Sequence, residues 1–297
     1  MIYPDAHLHC ASLIKDKLVF DKDGSLRDAI AQGLFLLKVP EYLDLEPGIK
    51  LCREFYLPAT DHTNYGGFRQ QTDIYFDREH FQTEHLLVDK SRWAGRLPCA
   101  VVQMAQVMDA VGQVIFQAAL WELGVAEHLW HRISGGAVTG EGTHWFAASH
   151  YRPERRLPGC AEHRDTGFVT LLYTRQPGFE AFIGGQWQSI APVPGCFIVN
   201  FGACLEALSG RLPLPARAIE HRVRECPTVP KGEDRFSFAT FINPPACGDL
   251  YELQPQGELL RLMSVEAFLR RFNQFTWQDR HTTFGIESVP APDAAHE

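Results

Sequence analysis

The chain has 297 residues, 45% of them hydrophobic, which is enough to bury one large core or at most two. Its 28 basic and 36 acidic residues give a formal charge of −8 with no basic block, so the electrostatic footprint of a nucleic-acid binder is missing. Eight cysteines are scattered without a C-x-x-C pair, a pattern of reduced thiols rather than of a disulfide frame or zinc ribbon. The first residues show neither a basic n-region nor an apolar h-region, and nowhere do about 18 apolar residues run uninterrupted. The expectation is a cytoplasmic protein without membrane contact.

In chain order, Asp5-Ala6-His7-Leu8-His9 comes first. D-x-H-x-H after a short strand resembles the first metal motif of amidohydrolase-type barrels, in which His7 and His9 would hold a water-activating metal; the plainer reading is a polar N-terminal strand or arm. Residues 25–32 read as a helix with Leu26, Ala29 and Ile30 on one side and Gly33 as its stop. Residues 34–39 then read as a buried strand and 47–55 as a second helix with Pro47 at its first position. Tyr65-Gly66-Gly67-Phe68 marks a turn. The mixed stretch 73–89, with Glu79, His80, Glu84 and His85, reads as a solvated surface. Apolar residues at helical spacing over 99–123 predict a long, mostly buried helix ended by Gly124, with a short helical piece over 125–133.

After the glycine-rich loop at 135–142 the pattern changes to short apolar or alternating runs: 144–151, 165–173, 180–183, 186–190, 196–201, 218–223 and 236–242. Gly184-Gly185 suits a hairpin turn between two of them. Such a series argues a two-sheet jelly roll. The last part returns to helix, with Val265, Phe268, Leu269 and Phe272 in one stripe over 264–275, and 293–297 reads as a frayed tail. The fold expected is mainly β with α in one domain over 1–297: a helical N-terminal module (1–134), a jelly-roll core (135–250) and a C-terminal helical segment (251–297).

Chemistry concentrates in the core. His163 and Asp165 stand two apart in His163-Arg164-Asp165, and on an extended segment such residues share a face. His221 lies in a later strand-like run. Two neutral imidazoles and a carboxylate on one side of a metal form the facial set of non-haem Fe(II) oxygenases. Arg235-Phe236-Ser237 offers a second same-face pair, a planar guanidinium beside a hydroxyl, suited to gripping a carboxylate. His144 and His150 are candidates for substrate contact or for packing, and Cys196 and Cys204 for small core residues.

These residues in this order resemble the isopenicillin N synthase-like branch of the Fe(II)/2-oxoglutarate-dependent oxygenases. The matching text is His163-Arg164-Asp165-Thr166-Gly167-Phe168, then Gly185-Gln186-Trp187, Pro192-Val193-Pro194-Gly195, Val199-Asn200-Phe201-Gly202, His221-Arg222-Val223 and Arg235-Phe236-Ser237. The resemblance implies a distorted double-stranded β-helix in which His163, Asp165 and His221 hold Fe(II), and Arg235 and Ser237 bind the distal carboxylate of 2-oxoglutarate. Ser149-His150-Tyr151 stands where many members have Asn-x-Tyr, which makes Tyr151 a further co-substrate contact, and Ala203 stands where many have Asp. The implied activity uses O2 to oxidise a C–H bond of a small molecule, by hydroxylation, desaturation or oxidative ring formation or expansion, in specialised metabolite biosynthesis; a few relatives act without 2-oxoglutarate. The competing readings are the hydrolase built on His7 and His9 and a jelly-roll protein that binds a ligand without turnover.

Overall fold

A computed structural model describes residues 8–21, 24–60, 62–227, 232–278, 281 and 284–286. The N-terminal part contains β1 (Cys10–Ile14), β2 (Lys17–Phe20), α1 (Leu26–Gln32), β3 (Leu34–Lys38), α2 (Glu46–Glu54), β4 (Tyr75–Asp77), β5 (Thr83–Asp89), α3 (Trp93–Arg96), α4 (Cys99–Glu122) and α5 (Glu127–Ser134). The core follows with β6 (Trp145–Tyr151), β7 (Cys160–His163), β8 (Val169–Tyr173), β9 (Phe179–Ile183), β10 (Gln186–Ser189), β11 (Cys196–Phe201), α6 (Ala203–Ser209), β12 (His221–Val223) and β13 (Phe236–Ile242). The chain then forms β14 (Asp249–Leu253), β15 (Leu259–Ser264) and α7 (Val265–Thr276). Local chemistry sets several of these bounds. Ser25 caps α1 by accepting from the Asp28 amide, and Gly33, at φ 95°, ends it, because only glycine enters that region without a steric cost.

Among the described residues the strands form a nine-stranded sheet in the order β2-β1-β3-β11-β8-β13-β6-β5-β4, a four-stranded sheet in the order β10-β9-β12-β7, and the β14–β15 hairpin. The first two face each other as a distorted jelly roll. Strands such as β3 and β11 read as continuous apolar runs because both of their faces are covered. Leu34, Leu36, Cys196 and Ile198 belong to the apolar layer between the sheets, while Phe35, Leu37, Phe197 and Val199 belong to the larger core under the helices. The long helix α4 has the length and hydropathy of a membrane span, yet it packs on the back of the large sheet. It can do so closely because Gly112 has no side chain: a Cβ there would lie 2.8 Å from Ile242 and 3.3 Å from Leu171.

Three sequence readings change, and one hairpin is new. β1 and β2 form a hairpin whose turn residues, Lys15 and Asp16, both have left-handed φ of 50° and 58°; without Asn-Gly or Asp-Gly the turn carries no strong signal. Residues 165–168 precede β8 instead of belonging to it, so Asp165 sits in a loop. The segment after 245 makes a hairpin, disguised by a register shift at Leu250/Tyr251, before its helix starts at the Ser264 cap. Finally, 73–89 is no solvated surface. It supplies β4 and β5, and Glu84 is fully buried.

Glu84 survives burial because it is answered on every side. It accepts from Arg69 Nε (2.9 Å) and Nη2 (2.7 Å), Tyr75 Oη (2.5 Å) and His150 Nδ1 (2.8 Å). Burial alone would raise its pKa; the bonds from His150, Arg69 and Tyr75 outweigh that and hold it at about 2. A depressed folded-state pKa stabilises the fold above the unfolded value near 4.5 and loses that contribution as pH falls toward about 2. Glu84→Gln is therefore expected to lower unfolding free energy by roughly 3 kcal/mol at neutral pH, with the gap to wild type closing below about pH 4 in urea melts taken across the acid range.

Candidate metal centre

The two histidines meet through sheet register. His163 ends β7 and His221 opens β12, and the two are direct partners across that antiparallel pair, with ring centroids 4.3 Å apart. Each Nδ1–H donates to a carbonyl two residues earlier, His163 to Ala161 (2.9 Å) and His221 to Ile219 (3.1 Å). A carbonyl only accepts, so these bonds fix the tautomer and leave the Nε2 lone pairs free to bind a cation. Burial, reinforced by His163, pushes the His221 pKa down to about 4 against the pull of Asp165, which keeps its imidazole neutral.

Asp165 is placed by its loop. Its carbonyl accepts from the Ala203 amide at the start of α6 (2.7 Å), and its Oδ2 accepts from Asn200 Nδ2 (2.6 Å). That leaves Oδ1 at 3.6 Å from His163 Nε2 and 3.7 Å from His221 Nε2. Burial would raise the Asp165 carboxyl, but His221 and His163, with Thr170, hold it well below the usual carboxylate range. The three donor atoms lie within 4.8 Å of one another. Such a triangle leaves a point a little over about 2 Å from each corner, close to the length of a first-row metal bond to imidazole nitrogen or carboxylate oxygen. It is the one cluster of this kind among the described residues, and the donor set fits Fe(II).

Two glycines let the loop pack this way. A Cβ on Gly202 would lie 2.3 Å from the Gly167 carbonyl and 2.9 Å from that of Asp165, and one on Gly167 would lie 2.1 Å from Asn243 Oδ1. Gly202→Ala must therefore displace the segment that aims Asp165. The expected result is a loss of roughly tenfold or more in Fe(II) affinity, measured by anaerobic equilibrium dialysis, with the fold retained in the circular dichroism spectrum.

Arg235, just before β13, is 5% exposed. Its Nε donates to the Pro177 carbonyl (3.2 Å) and its Cζ lies 4.3 Å from the Tyr151 ring centroid. Both terminal nitrogens are buried with no partner among the described residues. Beside it, Tyr151 Oη and Ser237 Oγ are 3.5 Å apart, and burial pushes the Tyr151 pKa up to about 12, so the phenol stays a donor. A buried guanidinium with two nitrogens unpaired among the described residues, flanked by two hydroxyls, has the chemistry to receive a carboxylate. It lines the same cavity of ≈ 120 Å³ as the histidine–aspartate cluster.

Strand alternation builds the rest of the cavity. Ser237, Ala239 and Phe241 of β13 pair across to Ser149, Ala147 and Trp145 of β6, and all six line it. The opposite face of β6 carries His150, which pairs with Glu84 and stacks on Tyr56. His144 is likewise outside the cavity, bound to Asp109 of α4 at 2.5 Å. Neither histidine is a candidate substrate contact. Cys196 and Cys204 are buried. His7 lies outside the described residues, His9 belongs to no metal-binding cluster among them, and the sheet order is not that of a strand–helix barrel. Sequence reasoning gave no role to Asn200, which orients Asp165, although the Asn-x-Gly text marked it. It also missed His85 and Trp277 in the cavity wall, which sit on elements remote in sequence.

Comparison with known proteins agrees with this geometry. Residues 143–244 match the family model described as the 2OG-Fe(II) oxygenase superfamily. The chain is similar to 1-aminocyclopropane-1-carboxylate oxidase homolog 10 of Arabidopsis thaliana, at 30% identity over 149 residues, 48% of this chain and 38% of that protein. It is also similar to gibberellin 20 oxidase 3 of the same plant, at 31% over 134 residues, 43% of this chain and 32% of that protein. The aligned part spans less than half the length of these relatives. In fold it resembles JOX2 in complex with 2OG, Fe and JA, with a TM-score of 0.68 at 18% identity over 98% of this chain and 91% of that one. A dioxygenase for auxin oxidation in rice gives 0.65 at 20% identity over 90% and 95%. The chain is thus similar to the 2OG-Fe(II) oxygenase superfamily over residues 143–244, the segment that carries the histidine–aspartate cluster, and shares its overall fold with the two solved structures.

Proposed function

We propose that the protein is a non-haem Fe(II)- and 2-oxoglutarate-dependent oxygenase that oxidises a C–H bond of a small organic molecule. One observation carries this reading: two buried guanidinium nitrogens of Arg235, unpartnered among the described residues, share a cavity with the His163–Asp165–His221 cluster. Either half alone would suit many proteins. Together they fit a metal and a dicarboxylic co-substrate at once.

In this reading His163 and His221 bind the iron as neutral imidazoles and Asp165 as a carboxylate, with Asn200 keeping its second oxygen occupied. Arg235 and Ser237 fix the far carboxylate of 2-oxoglutarate, and Tyr151 supports them from below the guanidinium. When bound, iron and 2-oxoglutarate supply the oxidising power drawn from O2, with succinate and carbon dioxide as by-products. The protein's own work is orientation, and exclusion of water by the apolar walls. Relatives named gibberellin 20 oxidase and 2'-deoxymugineic-acid 2'-dioxygenase, and a fold neighbour holding 2OG, Fe and JA, support a small-molecule substrate in specialised metabolism. Eight free cysteines suit a reducing compartment such as the cytoplasm.

The test is Fe(II)-dependent release of succinate from 2-oxoglutarate, screened over a panel of small organic compounds. A compound that stimulates release in the wild type and not in His221→Ala supports the reading. An absence of any iron-dependent succinate, stimulated or basal, counts against it.

A further inference from the structure

The cavity wall made by β5, β6, β13 and α7 is largely apolar, and its polar side chains that the metal and co-substrate do not use are Ser149, paired with His85, Asn273, which donates to the Phe284 carbonyl, and His85 and Trp277 themselves. Trp277 caps α7, lines the cavity and is 4% exposed; its Nε1–H is buried and meets no acceptor among the described residues. His85 of β5 lines the same wall. Its Nδ1 is paired with the Ser149 hydroxyl at 2.8 Å, while its Nε2 is buried without a partner among the described residues. The two rings are 5.6 Å apart, and Trp277 is also 5.6 Å from the ring of His163, so this polar pair stands beside a candidate metal ligand. Buried polar atoms are nearly always hydrogen-bonded, and two that are not, on one wall, call for a ligand atom between them.

The surroundings narrow what that ligand is. Arg235 is the only guanidinium or ammonium on the cavity wall among the described residues, and the co-substrate claims it. Arg78 stands behind the wall, its Cζ 3.9 Å from the Trp277 ring centroid and 4.2 Å from that of Phe284. A charged carboxylate on the substrate would be buried facing no cation, which is costly. Trp145, Phe241, Phe272 and Phe284 complete an aromatic lining that suits a flat apolar body.

Resting on the reading that this cavity takes both co-substrate and substrate, we infer that the substrate is an uncharged, largely apolar ring compound whose oxygen function, a carbonyl or a hydroxyl, is held by Trp277 Nε1–H with His85 Nε2 as the second contact. The Ser149 hydroxyl can donate to or accept from His85 Nδ1, so the imidazole presents a donor to a carbonyl or an acceptor to a hydroxyl.

Four probes of similar size test this: 4-ethylphenol, acetophenone, ethylbenzene and 4-ethylbenzoate. They are titrated calorimetrically into the anaerobic chain with Fe(II) and 2-oxoglutarate, and the indole N–H resonances of tryptophan-labelled protein are followed in parallel. The phenol and the ketone are expected to bind about tenfold tighter than the other two and to shift the Trp277 N–H resonance. Trp277→Phe is expected to erase that margin while ethylbenzene and 2-oxoglutarate binding stay within about twofold. Should the variant melt early, the resonance in the unaltered chain decides. Binding of 4-ethylbenzoate as tight as that of the phenol, an unmoved Trp277 resonance, a margin that survives in Trp277→Phe, or no binding of any probe would overturn the inference. Failure of 2-oxoglutarate to bind, with the probe preference intact, would overturn the oxygenase reading and leave this one standing.

Discussion

Replacing Asp165 by Ala is expected to abolish stoichiometric Fe(II) binding, a loss of at least about a thousandfold in affinity. The two imidazoles that remain are neutral donors, and the one formal charge that compensates the cation is gone. Asn200 also loses its acceptor at 2.6 Å, so the amide that aimed the carboxylate is left buried and unpaired. Asp165→Asn separates charge from shape: it keeps the side-chain volume and is expected to lose iron almost as completely. Anaerobic equilibrium dialysis of wild type and both variants reads this directly. Iron binding retained in either variant would remove the carboxylate from the site.

Arg235→Leu is expected to weaken 2-oxoglutarate binding by roughly two to three orders of magnitude while leaving Fe(II) affinity unchanged. The guanidinium is the partner of a fully desolvated carboxylate in this reading, and removing one member of such a pair strands the other. Arg235→Lys is expected to fall between, because an ammonium cannot reproduce the two parallel hydrogen bonds. The unliganded protein should behave differently. There Arg235 buries two donors without partners among the described residues, so leucine is expected to cost little stability or even to raise it. Calorimetric titration of 2-oxoglutarate together with urea melts gives both numbers. A stability loss without an affinity loss would make Arg235 a structural residue.

The cluster is legible in the sequence, but not through strand alternation. His163 and Asp165 were paired by the rule that residues two apart on a strand share a face. In the structure His163 is the last residue of β7 and Asp165 lies beyond it. Their convergence comes from the loop's anchorage to Asn200, Ala203 and the bare backbone of Gly202. The spacing encoded a loop geometry rather than a strand. The order of motifs still picks out residues that the fold brings together, because Asn-x-Gly and H-x-D are two sides of that one contact.

What stayed hidden depended on partners far along the chain. Glu84 looked like a surface acid until Arg69, Tyr75 and His150 closed around it. His85, on the other face of the same strand, entered the cavity for no reason visible in its own neighbourhood. Trp277 reached the site because α7 folds back against β7, a long-range packing choice that helical periodicity cannot report. By contrast α4 was readable almost to its last residue, since helix period, length and the Gly124 stop are all local.

The central claim, that one cavity holds a metal on His163, Asp165 and His221 and a 2-oxo acid on Arg235, is tested most directly by an anaerobic titration of Fe(II) in the presence of 2-oxoglutarate, followed in the visible. The expected result is a weak charge-transfer band that appears only when both are present, saturates at about one iron per chain, and is absent from Asp165→Ala. Iron that binds without the band, or a band that persists in Asp165→Ala, would contradict it.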